Sequence, residues 1–392
     1  MDIQQDLSKL IYLDNAATTF PKPKEVLQQA LDFFSFYGVN PGRSGYDLCV
    51  YAGEMVHNTR KELAEFFGGS NPDYLTFAYN ASDALNIIIP GILREGDHAI
   101  STTIEHNSVI RPLNHLRKEK GVEVEYVSVG EDFRVDPDEI ASRFRDNTRL
   151  VIVNHGSNVV GAIQPVAEIG ALCRERGIYF AIDTAQTAGM IPVDVEAMNV
   201  DALAFTGHKS LLGPTGIGGV WVREGVDIRA TRAGGTGVRS AHPMHLNEFP
   251  YRLEVGTCNL LGIAALHYAQ EYIAGRGLDN IYKHEMELFK KLYEGISDIE
   301  GVTLYGPTTI EGRLPVLSLN VANREAADVG TLLDVEFDIA TRTGLHCAPM
   351  IHQQMGTGEH GSVRMSIGPM NEMKDVEAGI HAVAEIARDA LG

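Results

Sequence analysis

The chain has 392 residues, 44% hydrophobic and 22% charged, the balance of a globular protein of about two domains. Its 33 basic and 52 acidic residues leave a net charge of −19. A surface of that sign repels phosphate backbones and anionic lipid, so nucleic acid and membranes are poor partners and an anionic ligand needs a locally positive pocket.

The opening segment, MDIQQDLSKLIYLD, carries early acids and no long apolar run, so it does not read as a signal peptide. No stretch reaches the roughly 18 to 20 apolar residues of a membrane span. Four scattered cysteines, Cys49, Cys173, Cys258 and Cys347, form no CxxC pair. They suggest neither a zinc ribbon nor a disulfide framework, and the expected location is a reducing cytoplasm.

The first two-thirds alternates short apolar strands with amphipathic helices. Helices are expected over 23–37 and 51–67, followed by a strand at 74–79 and a helix over 82–93. The pattern repeats: strand 98–102, helix 108–120, strand 122–129, helix 137–144, strand 150–154, helix 166–176. Three further strands, 178–183, 202–206 and 218–222, complete it. Continuous apolar strands separated by helices imply a mostly parallel sheet covered on both faces. This large α/β domain is expected over residues 14–256. Beyond Gly256 come two long helical runs, 259–274 and 278–296, then strands at 302–305 and 315–321. A helix over 326–336, a strand at 338–343 and a closing helix over 373–391 follow. Residues 257–392, joined by residues 1–13, are expected to form a smaller α+β domain.

Chemistry concentrates at the strand ends. The run IYFAID ends in Asp183, at the carboxyl edge where open α/β sheets bind ligands, although an Asp there also caps helices. Lys209 stands in FTGHKSLLGPTGIGG, directly after a buried-looking strand, with Thr206 and His208 able to bind an anion. The glycines that follow are expected to let backbone approach a ligand, the alternative being an ordinary surface lysine before a turn. The lysine precedes its glycines, which excludes a P-loop. An acid and a lysine on one sheet edge suit pyridoxal 5′-phosphate (PLP). That cofactor needs a lysine for a Schiff base and an acid beside its pyridine nitrogen. Asn80, Ala81 and Ser82, between a strand and a helix, can receive its phosphate or simply cap the helix. His106 ends a strand and can stack on a ring or relay protons. Arg342, His346 and Cys347 stand together in RTGLHCAP, with Arg364 seventeen residues beyond the cysteine. Cys347 reads as a thiolate nucleophile or a small buried hydrophobe, and Arg364 as a bidentate grip on a carboxylate.

Together these segments resemble, in order and over nearly the full length, the cysteine desulfurase and selenocysteine lyase family. That family belongs to the class V aminotransferases of PLP fold type I. The resemblance runs through YLDNAATT, NPGRSG, IEHNS, HGSNVVG, IDTAQTAG, TGHKSLLGPTGIGG, LEVGTCN, RTGLHCAP and VRMSIG, and the cysteine motif is like that of group-two members. It implies that Lys209 anchors PLP and that Asp183 pairs with the pyridine nitrogen. Gln186 would contact the ring oxygen, and His106 would stack on the ring. Ala81, Ser82, Thr206 and His208 would hold the phosphate. Thr257 would reach the phosphate of a neighbouring subunit in a homodimer. Asn158, Arg342 and Arg364 would serve the substrate, and Cys347 would take the sulfur. The implied reaction converts L-cysteine to L-alanine through a persulfide, with L-selenocysteine as the rival substrate and transamination as a further alternative. The sulfur would pass to a protein acceptor, as in iron–sulfur cluster assembly. The turn at Asn80–Asp83 departs from the Thr-rich turn of many group-two members.

Overall fold

The computed structural model describes residues 9–42 and 45–392. Residues 1–8 of the expected small domain, and Arg43 and Ser44 of NPGRSG, lie outside the described residues. The chain opens with β1 (Ile11–Tyr12), α1 (Lys24–Tyr37) and α2 (Asp47–Phe66). The alternating segment then contains β2 (Leu75–Ala78), α3 (Ala81–Ile92), β3 (His98–Thr102), α4 (Asn107–Lys120) and β4 (Glu123–Val127). It continues through α5 (Pro137–Ala141), β5 (Thr148–Asn154), α6 (Val166–Arg176), β6 (Tyr179–Asp183), β7 (Ala202–Thr206) and β8 (Gly218–Val222). The remainder contains α7 (Leu260–Arg276), α8 (Leu278–Ser297), β9 (Val302–Tyr305), β10 (Val316–Val321) and α9 (Ala326–Phe337). It ends with β11 (Ile339–Ala340), β12 (Arg342–Gly344), α10 (Pro349–Gln354), β13 (Ser362–Ser366) and α11 (Met373–Leu391).

Seven strands form the main sheet in the order β2-β8-β7-β6-β5-β3-β4. Only β8 runs against its neighbours, pairing antiparallel with both β2 and β7. Strand side chains alternate between faces, and here both faces are buried. Leu150 and Ile152 of β5 join Leu85, Ile88 and Leu113 of α3 and α4 in one core. Val151 and Val153 join Leu63, Ile169 and Leu266 of α2, α6 and α7 in the other. Each such fully buried aliphatic side chain contributes about 1.5–3 kcal/mol relative to exposure. The stops are equally local: α4 and α6 end on Gly121 and Gly177 in the left-handed conformation.

A four-stranded antiparallel sheet, β12-β13-β10-β9, packs with α8, α9 and α11 around a separate core that includes Leu13, Phe289, Leu319 and Val383. β1 pairs in parallel with β11, which ties the start of the chain to this smaller body. Several features differ from the sequence expectations. The run at 338–343 is two strands in different sheets, β11 and β12. β13, the fully buried strand that carries Arg364, adds a strand where none was expected. Helix α7 packs on α1 and α2, and its Leu266, Ala269 and Ile273 share the large core. That core extends past residue 256 because the inward face of α7 is apolar.

Candidate active site

The carboxyl ends of the parallel strands converge on one cavity of about 230 Å³. β5 delivers Asn154, β6 delivers Asp183 and β7 delivers Thr206, each as its last residue. Parallel pairing sets Asn154 directly beside Asp183. The turns after β2, β3 and β7 add Asn80 to Ser82, His106 with Ser108, and His208 with Lys209. Asn158, Gln186 and Arg342 complete the part of the wall that sequence reasoning anticipated. Such an edge collects ligand groups because the parallel strands end there and the helices that follow them begin there.

The electrostatics are those of a buried site. Burial raises the Asp183 carboxyl above its ordinary range, while the N–H of Ala185 and the charge of Lys209 act against that rise. Burial pushes the Lys209 ammonium down to about 8, opposed by Asp183 and assisted by Arg364 and Arg342. His106 is pushed down to about 4 by burial, then by Lys209, Arg342, Arg111 and Arg364, so its ring is neutral at physiological pH. Burial and Lys209 also hold His208 near 4. The Thr206 hydroxyl is buried without a partner. At the start of α3, Asn80 caps the N–H of Asp83 at 3.0 Å. The N–H groups of Ala81 and Ser82, in the first turn, have no intrahelical acceptor.

The cysteine arrives from the smaller body. His346 and Cys347 adopt φ of 48° and 60°, left-handed values costly for L residues. Two hydrogen bonds from the large body hold this turn. Asn158 Nδ2 donates to the His346 carbonyl at 2.8 Å, and the Asn107 N–H donates to the Cys347 carbonyl at 2.7 Å. Arg342, directly opposite Arg364 across the β12–β13 pair, donates from Nη2 to Cys347 Sγ at 3.3 Å. Cys347 lines an adjoining cavity of about 560 Å³ that shares Ser82, His106 and Ser108 with the first. His346 is not available to help the thiol: its ring is buried, directed at Ser362, and pushed down to about 2 by burial and the nearby cations.

Other anticipated residues stand apart from the cavity wall or are already engaged. Arg364 is fully buried, paired with Asp14 at 2.5 Å and bonded to the Asn158 carbonyl at 3.0 Å. Thr257 is exposed in the loop before α7 and does not line the cavity within this chain. Gln186 lines it, but its Nε2 is bound to the Ala16 carbonyl. Gly213, Gly218 and Gly219 after Lys209 serve packing rather than ligand approach, and Gly216 takes a φ of +86°. A Cβ at Gly218 would meet the Phe205 carbonyl at 2.5 Å and Asn80 Cα at 3.0 Å, and none of Gly213, Gly216, Gly218 and Gly219 lines the cavity.

Two acids were missed from sequence. Glu105 is fully buried; its Oε1 accepts from the Thr102 hydroxyl at 2.6 Å and the Asn154 N–H at 2.9 Å. Asp14 neutralises Arg364. Asp14 ends the apolar run IYLD, the same signal that marks Asp183, while Glu105 follows the mixed run AISTTIE, which carries no such signal.

The aminotransferase class-V family model matches residues 11–378. The chain belongs to that family, and its architecture is fold type I of the PLP enzymes. Its relatives there include cysteine desulfurases. A probable cysteine desulfurase of Methanothermobacter thermautotrophicus is 35% identical over 98% of each chain. A cysteine desulfurase of Haloferax volcanii is 30% identical over 96% of this chain and 89% of its own. The apo structure of a cysteine desulfurase from Thermococcus onnurineus NA1 superposes with a TM-score of 0.90 at 31% identity, covering 99% of both chains.

Proposed function

We propose that this protein is a cysteine desulfurase that holds PLP in the 230 Å³ cavity and converts L-cysteine to L-alanine, keeping the sulfur on Cys347. One observation carries the reading: Arg342 lines the cavity of Lys209 and Asp183 and also donates to Cys347 Sγ, so cofactor and sulfur chemistry share a wall.

The residues fit the cofactor. Asp183 provides a buried carboxylate for the ring nitrogen, and Lys209 provides the amine. The unpartnered Thr206 hydroxyl and the N–H groups of Ala81 and Ser82 suit a phosphate, with His208 beside them. His106 offers a neutral imidazole to the ring face, and Gln186 an amide to its edge. When bound, PLP supplies an electron sink at the substrate carbon. Lys209, whose amine loses its proton near pH 8, moves the α-proton. Cys347 Sγ attacks the substrate sulfur and becomes a persulfide, and alanine leaves with a proton in place of sulfur. Asn158 orients the cysteine turn. Arg342 is the cation already at the wall, and Arg364 receives a substrate carboxylate by exchanging it for Asp14.

The persulfide then passes to a protein acceptor, in a role suited to iron–sulfur cluster assembly. The working form is a homodimer in which Thr257 reaches the partner's phosphate, and the compartment is the cytoplasm. Exposed Leu31, Phe34, Phe36, Leu48 and Tyr51 on α1 and α2 support a second copy covering that face. No helix among the described residues is long and apolar enough to cross a membrane. The decisive test measures alanine formed from L-cysteine and from L-selenocysteine by wild type and Cys347→Ala. Loss of the cysteine reaction alone is expected. Full turnover of cysteine by the variant would overturn the sulfur mechanism.

A further inference from the structure

A hydrogen-bonded pair of hydroxyls joins the two halves of the cofactor site. Ser82, at the start of α3, lies 2.5 Å from Ser108, Oγ to Oγ. Ser108 Oγ lies 2.9 Å from His106 Nδ1. The Ser108 N–H also donates to that nitrogen, at 3.1 Å. All three residues line the wall common to both cavities.

Counting protons gives this chain a direction. Nδ1 accepts a backbone N–H, so it carries no proton, and the neutral ring is protonated at Nε2. The Ser108 hydroxyl at 2.9 Å therefore donates to Nδ1. Its oxygen must then accept from Ser82, so the chain runs from Ser82 to His106. An oxyanion at the N–H groups of Ala81 and Ser82 is a stronger acceptor than a hydroxyl and claims the Ser82 proton. Two oxygens 2.5 Å apart cannot share a bond without a proton. Ser108 then turns its own proton towards Ser82, and Nδ1 keeps only the backbone bond.

We propose that Ser108 is a positioning residue whose hydroxyl reports occupancy of the α3 anion cradle to the imidazole of His106. The inference rests on the reading of that cradle as a phosphate site. The charges acting on His106 are those of Lys209, Arg342, Arg111 and Arg364, all cationic, so the ring stays neutral at neutral pH while the hydroxyls rearrange. A relay of this kind gives the imidazole a different hydrogen-bonding state in the loaded and unloaded protein without moving the backbone.

The experiment uses the cofactor-free full chain with inorganic phosphate as the probe and follows the His106 Nδ1 resonance by ¹⁵N NMR at neutral pH. Phosphate should move that resonance downfield in wild type, towards a nitrogen with one fewer donor. Ser108→Thr, which keeps the hydroxyl, should respond as wild type does. Ser108→Ala should begin near the phosphate-bound position and stay there. The relay is overturned if the Ala81 and Ser82 amides register phosphate while His106 stays still, or if Ser108→Ala responds as strongly as wild type. Silence at those amides as well would overturn the phosphate cradle and the relay with it.

Discussion

The two walls of the active site are built on opposite plans. The wall from the main sheet is made of strand ends, each backed by two buried faces, and it leaves polar groups open: the Thr206 hydroxyl has no partner and the first N–H groups of α3 have no acceptor. The wall from the smaller body is made of a three-residue strand and a left-handed turn, and its side chains each already hold a partner, although Arg364 Nε and His346 Nδ1 have none. Arg342 holds Cys347, Arg364 holds Asp14, and His346 holds Ser362. A rigid edge can keep polar groups waiting for a ligand because packing holds them. A short turn stays in place only through the hydrogen bonds it makes, so binding there proceeds by exchange of partners.

That contrast is most easily broken on the waiting side. Lys209→Ala removes both the anchor and the proton carrier, and desulfuration should fall by about 10⁴-fold or more, the upper range for loss of a positioned base. Retention of even a hundredth of the activity would remove Lys209 from the chemistry.

On the engaged side the first effect should be on stability. Asp14→Ala leaves the fully buried Arg364 guanidinium uncompensated. Breaking such a pair costs about 3–5 kcal/mol, and about 3 is expected because Asp14 is partly exposed. Thermal unfolding measures it. If Arg364 accepts substrate carboxylates by exchange, L-alanine should raise the melting temperature of this variant more than that of wild type. An equal rise in both would argue that Arg342 alone serves the carboxylate.

A smaller effect is expected at the sulfur itself. Arg342→Gln removes a charged donor from Cys347 Sγ, worth about 1.5–3 kcal/mol, or roughly tenfold to a hundredfold in turnover. Single-turnover alanine formation distinguishes this from slow persulfide release, since only the former reads the attack.

The same contrast explains what could be read from the sequence. The main sheet was legible because its strands are continuous apolar runs between amphipathic helices, and its site residues sit at the ends of those runs. β13 was not, since Ser362–Ser366 is a short SVRMS segment with an arginine at its centre. Arg364 becomes a core residue only because Asp14, 350 positions away, neutralises it. Spacing within one segment contains no record of that pairing. Nor could the sequence separate glycines that admit a ligand from glycines that admit Phe205 and Asn80. The resemblance supplied Cys347 and Arg342 as a unit, but it gave no sign of the Asn107 and Asn158 bonds that hold their turn.

Glu105 links the two plans, being fully buried on the sheet side yet only half satisfied. Oε1 takes two donors and Oε2 has none. Burial raises its carboxyl to about 8, with the charge of Asp183 adding to the rise. Its folded value therefore lies above its unfolded one. Between about pH 4.5 and 8 the folded chain holds a proton that the unfolded chain has released, so this group's contribution is full below pH 4.5 and declines until pH 8. Glu105→Gln keeps an oxygen for Thr102 and Asn154 but cannot ionise. Relative to wild type it should gain stability steadily over that window, by at most about 1.4 kcal/mol per pH unit. Glu285, also raised by burial, adds a slope of the same sign to both proteins, and the difference between them cancels it. Denaturant unfolding at pH 5 and pH 8 reads that difference directly. Parallel stability curves for the two proteins would mean that Glu105 is ionised in the fold, in which case a water or a shifted side chain must satisfy Oε2.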